Sequence, residues 1–185
     1  MTTEIELKYL IQTPPDSTSN DNLVERLSTA LTAHQFEFNT ASRHLSNTYY
    51  DTQSLKFRQM DMGLRTRRSD DYCEQTIKTA GRIVGGLHQR PEYNVALTLH
   101  TEAVPKLSLF PDDIWPNAVN LKALEAELVP LFSTNFYRNT WLVSTTSGEV
   151  EIAYDKGVID SQGRSSQINE LELELVTGDS QAIFE

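Results

Sequence analysis

Polar and apolar residues alternate with a period of two in six stretches: Glu4-Ile-Glu-Leu-Lys8, Gly63-Leu-Arg-Thr-Arg67, Glu74-Gln-Thr-Ile-Lys78, Arg90-Pro-Glu-Tyr-Asn-Val95, Glu149-Val-Glu-Ile-Ala-Tyr-Asp155 and Glu170-Leu-Glu-Leu-Glu-Leu175. Alternation of this kind predicts strands whose two faces meet different surroundings, so at least six strands are expected. Helical spacing is rarer. Leu23, Leu27 and Leu31 follow a capping Asp21 or Asn22, and Leu121, Leu124 and Leu128 follow Asn120 and stop before Pro130. Thr13 to Asn20, rich in Pro, Ser, Asp and Asn, reads as a loop. Two helices among many strands, without regular strand-helix alternation, predict an α+β fold built on an antiparallel sheet. At 185 residues, with no repeat or low-complexity linker, one domain is expected.

The polar faces are sorted by charge. Glu4 and Glu6 are followed on one face by Lys8, Arg65 shares a face with Arg67, Glu149 and Glu151 share one with Asp155, and Glu170, Glu172 and Glu174 line up. Any one stretch alone reads as an ordinary strand with a wet polar face. Same-face neighbours lie roughly 6.5 to 7 Å apart, so three carboxylates in a row repel unless cations stand among them. Closing about eight strands into a barrel would place the charged faces inside and leave Ile5, Leu7, Leu64, Ile77, Tyr93, Val150, Ile152, Leu171, Leu173 and Leu175 outside, against the helices. A charged interior persists only where it is paired, wet or occupied. The matching occupant is a polyanion carried with a divalent metal, since carboxylates suit Mg²⁺ or Mn²⁺ and guanidinium forks suit phosphate oxygens.

Composition narrows the partners. Sixteen basic and 26 acidic residues give a net charge of -10, which disfavours nucleic acid and anionic lipid. Between Arg43 and Arg90, however, nine basic residues face five acidic ones, so an anion can still be held locally. No apolar run is long enough to cross a membrane. The single cysteine, Cys73, excludes an intramolecular disulfide and a cysteine-cage zinc site, and the N-terminus lacks the pattern of a signal peptide, so the cytoplasm is the expected compartment.

Glu4-Ile-Glu-Leu-Lys8 resembles the ExExK signature of the CYTH superfamily of triphosphate tunnel metalloenzymes. That superfamily includes class IV adenylate cyclases, thiamine triphosphatases and inorganic triphosphatases. Leu-Arg-Thr-Arg67, Thr-Ile-Lys78, Tyr137-Arg138 and the acidic strands ending at Asp155 and Glu174 follow in family order, so the resemblance covers nearly the whole chain. Gly85 to Asn94, Pro130 to Arg138, and Leu171 to Leu175 with Thr177-Gly-Asp179 look most like the bacterial inorganic triphosphatases, in which a helical CHAD domain usually follows.

The resemblance implies a closed or nearly closed eight-stranded antiparallel barrel with flanking helices and a small-molecule triphosphate as substrate. Carried over residue by residue, Glu4, Glu6, Glu172 and Glu174 would hold Mg²⁺ or Mn²⁺. Lys8, Arg65, Arg67, Lys78, Arg90 and Arg138 would grip phosphates, and Asp155 and Glu151 would orient the attacking water or accept its proton. Glu170 is a third carboxylate where the family pattern most clearly asks for two. Family members continue into a further helix and strand, whereas this sequence stops at Ile183-Phe-Glu185. The expected domain is thus residues 1–185 of the CYTH type without those last elements, and a strand edge left open would pair with a second copy to give a homodimer.

Other chemistries find less support. The GxxxxGK[ST] and GxGxxG loops are absent, and Gly81, Gly85 and Gly86 read as turn residues. His34, His44, His88 and His100 lack ligand spacing and read as surface or helix-face residues. Cys73 reads as a buried small hydrophobe, Trp115 and Trp141 as core or helix-packing residues, and Glu125-Ala-Glu127 as a solvated helix face. No segment announces an apolar pocket for a base or thiazolium, which favours inorganic triphosphate over a class IV cyclase or thiamine triphosphatase activity. A third reading is a non-catalytic polyphosphate-binding module.

Overall fold

The computed structural model describes residues 1–12, 22–98, 104–116 and 119–185. Its strands are β1 (Thr2–Leu10), β2 (Glu37–Thr52), β3 (Gly63–Arg68), β4 (Cys73–Lys78), β5 (Arg82–Val84), β6 (Leu87–Leu97), β7 (Leu128–Ser144), β8 (Gly148–Ser161) and β9 (Arg164–Gly178), with helices α1 (Leu23–Ala33), α2 (Lys56–Gln59) and α3 (Leu121–Ala126). The loop expected over Thr13 to Asn20 lies outside the described residues, as do Asp21 and His100. Asn22 caps α1, its side chain accepting from the Glu25 N–H.

Each of the six alternating stretches falls in a strand, namely β1, β3, β4, β6, β8 and β9. The strands run in the order β1-β9-β8-β7-β2-β3-β4-β6, all neighbours antiparallel, and β6 returns to β1. Eight strands therefore close a barrel, and β5 is a three-residue appendage folded back on β6. Gly85 and Gly86, with φ of 61° and 90°, make the two-residue turn between β5 and β6, a geometry that favours glycine at both positions. Among the described residues β6 pairs with β1 and closes the ring, where an open edge was expected from the sequence.

Apolar packing lies outside the barrel. Phe57 of α2 and Leu124 of α3 pack with Leu64, Ile77, Leu107 and Phe110 over β3 and β4, and Trp115 stands edge-on to both Phe57 and Phe110. Leu23, Leu27 and Leu31 of α1 cover Trp141, Val143 and Tyr154, and the Trp141 indole donates to Ser28 Oγ. Ala182 and Ile183, in a 3₁₀ turn over Ser180–Phe184, seal Leu87 and Val150. Cys73 is buried.

Two local expectations need correction. The third helix ends at Ala126, and Leu128 opens β7, where Pro130 sits at the register irregularity opposite Tyr50 that tolerates its missing N–H. The Glu125 carboxylate is not merely solvated, because it accepts from the Leu107 N–H, while Glu127 pairs with Lys56. No helix among the described residues is long and apolar enough to cross a membrane.

Candidate active site: a hollow with two charged walls

The pleat directs residues of one parity inward on every strand, and strand register sets which of them meet. Glu6 lies opposite Glu174 and Lys8 opposite Glu172. Glu4 faces Arg90, Lys78 faces Glu92, and Arg138 faces Asp155. These side chains line one hollow of about 940 Å³. Eleven of the twelve residues singled out in the sequence line it: Glu4, Glu6, Lys8, Arg65, Arg67, Lys78, Arg90, Arg138, Asp155, Glu172 and Glu174. Glu151 is half-buried on β8, set back from the lining.

On the acidic wall Glu4 is held from two sides, by Lys78 Nζ and by Arg90 Nε at 2.8 Å, while Arg90 Nη2 reaches Glu6 at 3.1 Å. Lys8 bridges Glu170 and Glu172, and Arg138 joins Asp155 to Glu172. Burial opposes the charge on Lys8 and on Arg138. It is outweighed by Glu172 and Glu170 for the lysine and by Asp155 and Glu172 for the arginine, so both stay firmly protonated. Burial likewise works against an ionised Glu172, but Arg138 and Lys8 prevail and hold its carboxyl below the ordinary value.

Two acids are left short of positive charge. Glu174 makes no ion pair among the described residues, and burial together with the Glu4 and Glu92 charges pushes its carboxyl up to about 7. Burial, then Glu4 and Glu172, raise Glu6 as well. Burial also raises Asp155 despite its two hydrogen bonds from Arg138.

The opposite wall has the reverse deficit. Neither Arg65 nor Arg67 forms an ion pair among the described residues, and the buried Arg65 Nε has no hydrogen-bond partner there. Arg67 Nε donates to Asn47 Oδ1 at 2.8 Å, and burial with the nearby Arg65 and Arg138 charges lowers its affinity for its proton. One wall thus calls for a cation and the other for an anion.

The carboxylates suit a hard divalent ion by donor chemistry, and the raised Glu6 and Glu174 mark where positive charge is missing. No three acidic or histidine side chains among the described residues already stand together as a metal cluster, and Glu4 is turned onto Lys78 and Arg90. Binding an ion there requires Glu4 to exchange those partners.

Several lining residues carry no sequence signal. Asn47, 1% exposed, steers Arg67 and donates to Thr134 Oγ1 at 2.8 Å. Phe136 lies beneath Arg138, 5.8 Å from its guanidinium carbon. Glu92 and Glu170, which the alternation did place on charged faces, join the wall as partners of Lys78 and Lys8. Against expectation there is an apolar ledge. Tyr49 and Phe132 stack with centroids 4.4 Å apart and line the hollow with Ile159 and Ile168. Of the histidines, His88 lines the hollow, His44 bonds Asn135 on the surface, and His34 ends α1.

Known proteins resemble this chain in sequence or in fold. The chain is 38% identical over 143 residues to a protein of Haemophilus influenzae described as an inorganic triphosphatase, a match that covers 76% of this chain and 38% of that protein's length. Its fold resembles that of HpAC1 from Hippeastrum, an adenylyl cyclase candidate described as having a dominant triphosphatase activity, with TM-score 0.58 and 16% identity over 94% of this chain and 80% of that one. It also resembles PH1819 from Pyrococcus horikoshii, with TM-score 0.54 and 18% identity over 97% and 81% of the two chains. The profile of the CYTH domain matches residues 2–185, and the chain belongs to that family.

Proposed function

We propose that this chain hydrolyses the terminal phosphoanhydride of inorganic triphosphate within the hollow. The observation that carries the reading is the pair Arg65 and Arg67, half-buried without an ion pair among the described residues, across the hollow from Glu174, which likewise has none. An anion rich in phosphate oxygens, bound with a divalent ion, meets both needs at once. The Haemophilus relative's description points the same way.

In this reading Arg65, Arg67, Lys8, Lys78, Arg90 and Arg138 bind the phosphates and stabilise the charge that spreads over the transferring oxygens. Glu4, Glu6, Glu172 and Glu174 would hold Mg²⁺ or Mn²⁺, which supplies charge neutralisation at the phosphoanhydride oxygens. Water attacks the terminal phosphorus in line, the P–O bond to the rest of the chain breaks, and pyrophosphate leaves with the bonding pair. Asp155 has both oxygens committed to Arg138, so its part is to aim that guanidinium. The Glu151 carboxylate makes no hydrogen bond or ion pair among the described residues, and from behind the lining it is proposed to take the attacking water's proton through one intervening water. The proposed compartment is the cytoplasm.

The ledge of Tyr49 and Phe132 favours a second reading, in which a planar group continues beyond the triphosphate, as in adenosine or thiamine triphosphate. Phosphate release from tripolyphosphate, ATP and thiamine triphosphate, measured side by side, separates the two. Preference for tripolyphosphate supports the first, while preference for a capped triphosphate, or formation of cyclic AMP, selects the second.

A further inference from the structure

The turn between β2 and β3 is built around one side chain. Helix α2 has four residues, three of them tied down away from the hollow. Lys56 pairs with Glu127, Phe57 is 1% exposed in the outer core, and Gln59 donates to the Ser54 carbonyl. Arg58 alone lines the hollow, and its guanidinium has no partner among the described residues. Asp61, exposed at the same place, forms no ion pair with it.

The backbone that presents Arg58 is strained and firmly held. Leu55 and Asp61, neither of them glycine, bracket the turn in the left-handed region at φ of 57° and 53°. The buried Asp51 carboxylate fixes it from below, accepting from the N–H groups of Thr52 at 2.7 Å, Phe57 at 2.9 Å and Arg58 at 3.1 Å. At Gly63, which also lines the hollow, an added Cβ would meet nothing within 4 Å, so the approach beside the turn is open. An exposed arginine on a braced turn at an open approach is a cation held ready for an anion arriving from solvent.

Resting on the triphosphate reading above, we propose that Arg58 is a further substrate-binding residue, which takes the phosphate nearest solvent in a linear polyphosphate and makes the site sensitive to chain length. Pyrophosphate, seated on the inner cations, falls short of Arg58. Tripolyphosphate reaches it, and tetrapolyphosphate engages it fully.

Titration calorimetry in chelator, where turnover does not interfere, tests this with the full chain and its Arg58→Ala and Arg58→Lys variants. Arg58→Ala weakens tetrapolyphosphate binding about ten-fold and tripolyphosphate somewhat less, and it leaves pyrophosphate unchanged. Arg58→Lys restores part of the loss. Undiminished affinity for the long chains, or an equal loss for all three, overturns the proposal, the latter because a merely structural role would not discriminate by length. A wild-type chain that binds these anions with the stated pattern but releases no phosphate would defeat the hydrolase reading and leave this one standing.

Discussion

Arg138 lays its guanidinium along Asp155, Nε to Oδ1 at 2.7 Å and Nη2 to Oδ2 at 2.6 Å, and the same Nη2 reaches Glu172 at 2.7 Å. A single cation thus links strands β7, β8 and β9 across the floor of the hollow. Removing Asp155 leaves the buried Arg138 with Glu172 alone and two donors unmet, so Asp155→Ala is expected to cost about 2 kcal/mol in denaturant unfolding. The double change Arg138→Met with Asp155→Leu should recover much of that stability and none of the phosphate release. If the single variant unfolds like wild type, the pair is not the brace described.

Arg65 and Arg67 are held against their own repulsion. Their replacement by Ala, one at a time, is expected to weaken tripolyphosphate binding about ten-fold or more without lowering the midpoint of thermal unfolding. Collapse of the fold in either variant would make these arginines structural.

Glu174 gives a pH signature. Its folded value, about 7, lies above the ordinary 4.5, so between those limits the native state holds more protons than the unfolded chain and stability falls as pH rises. Below about pH 4.5 this acid imposes no penalty, and above about 7 the penalty is complete. In chelator, the melting temperature of wild type relative to Glu174→Gln should therefore drop between pH 5 and 7.5. Added Mg²⁺ should restore wild type at pH 8 more than at pH 5. Parallel curves for the two proteins would rule out the raised acid.

Gly157 is needed for close approach rather than for turning. An added Cβ would stand 2.1 Å from the Asn135 carbonyl oxygen and 2.4 Å from Phe136 Cβ. Gly157→Ala is expected to destabilise the chain by about 1–3 kcal/mol and, by moving Phe136 from beneath Arg138, to lower phosphate release further than Gly163→Ala, whose added Cβ meets nothing within 4 Å and whose strain, at φ of 79°, stays in the turn between β8 and β9. Equal effects of the two changes on activity would remove Phe136 from the account.

How far the sequence could be read depended on how different the two faces of each strand are. In β1, β3, β4 and β9 a charge faces inward and an aliphatic residue packs outward, so Glu4 to Lys8 and Glu170 to Leu175 announce both the strand and the wall. In β2 the contrast disappears, because its outer face carries the polar, half-buried His44, Ser46 and Thr48 and its inner face carries Asn47 beside Leu45 and Tyr49. The polar Asn47 is buried to steer Arg67, a demand set by tertiary contact that no spacing reveals. Leu128 shares a helical period with Leu121 and Leu124, yet the sheet takes it once α3 has ended. The ledge joins Tyr49 of β2 to Phe132 of β7, residues far apart in the chain whose contact exists only after pairing.

The most direct trial is orthophosphate release from tripolyphosphate with Mg²⁺ or Mn²⁺, for wild type and Glu6→Gln, each with and without chelator. Steady release by wild type, lost in the variant and lost again when the ion is withdrawn, is the expected result. Tight binding without release, or equal turnover by Glu6→Gln, would show that the two walls hold a polyphosphate but do not cleave it in the manner described.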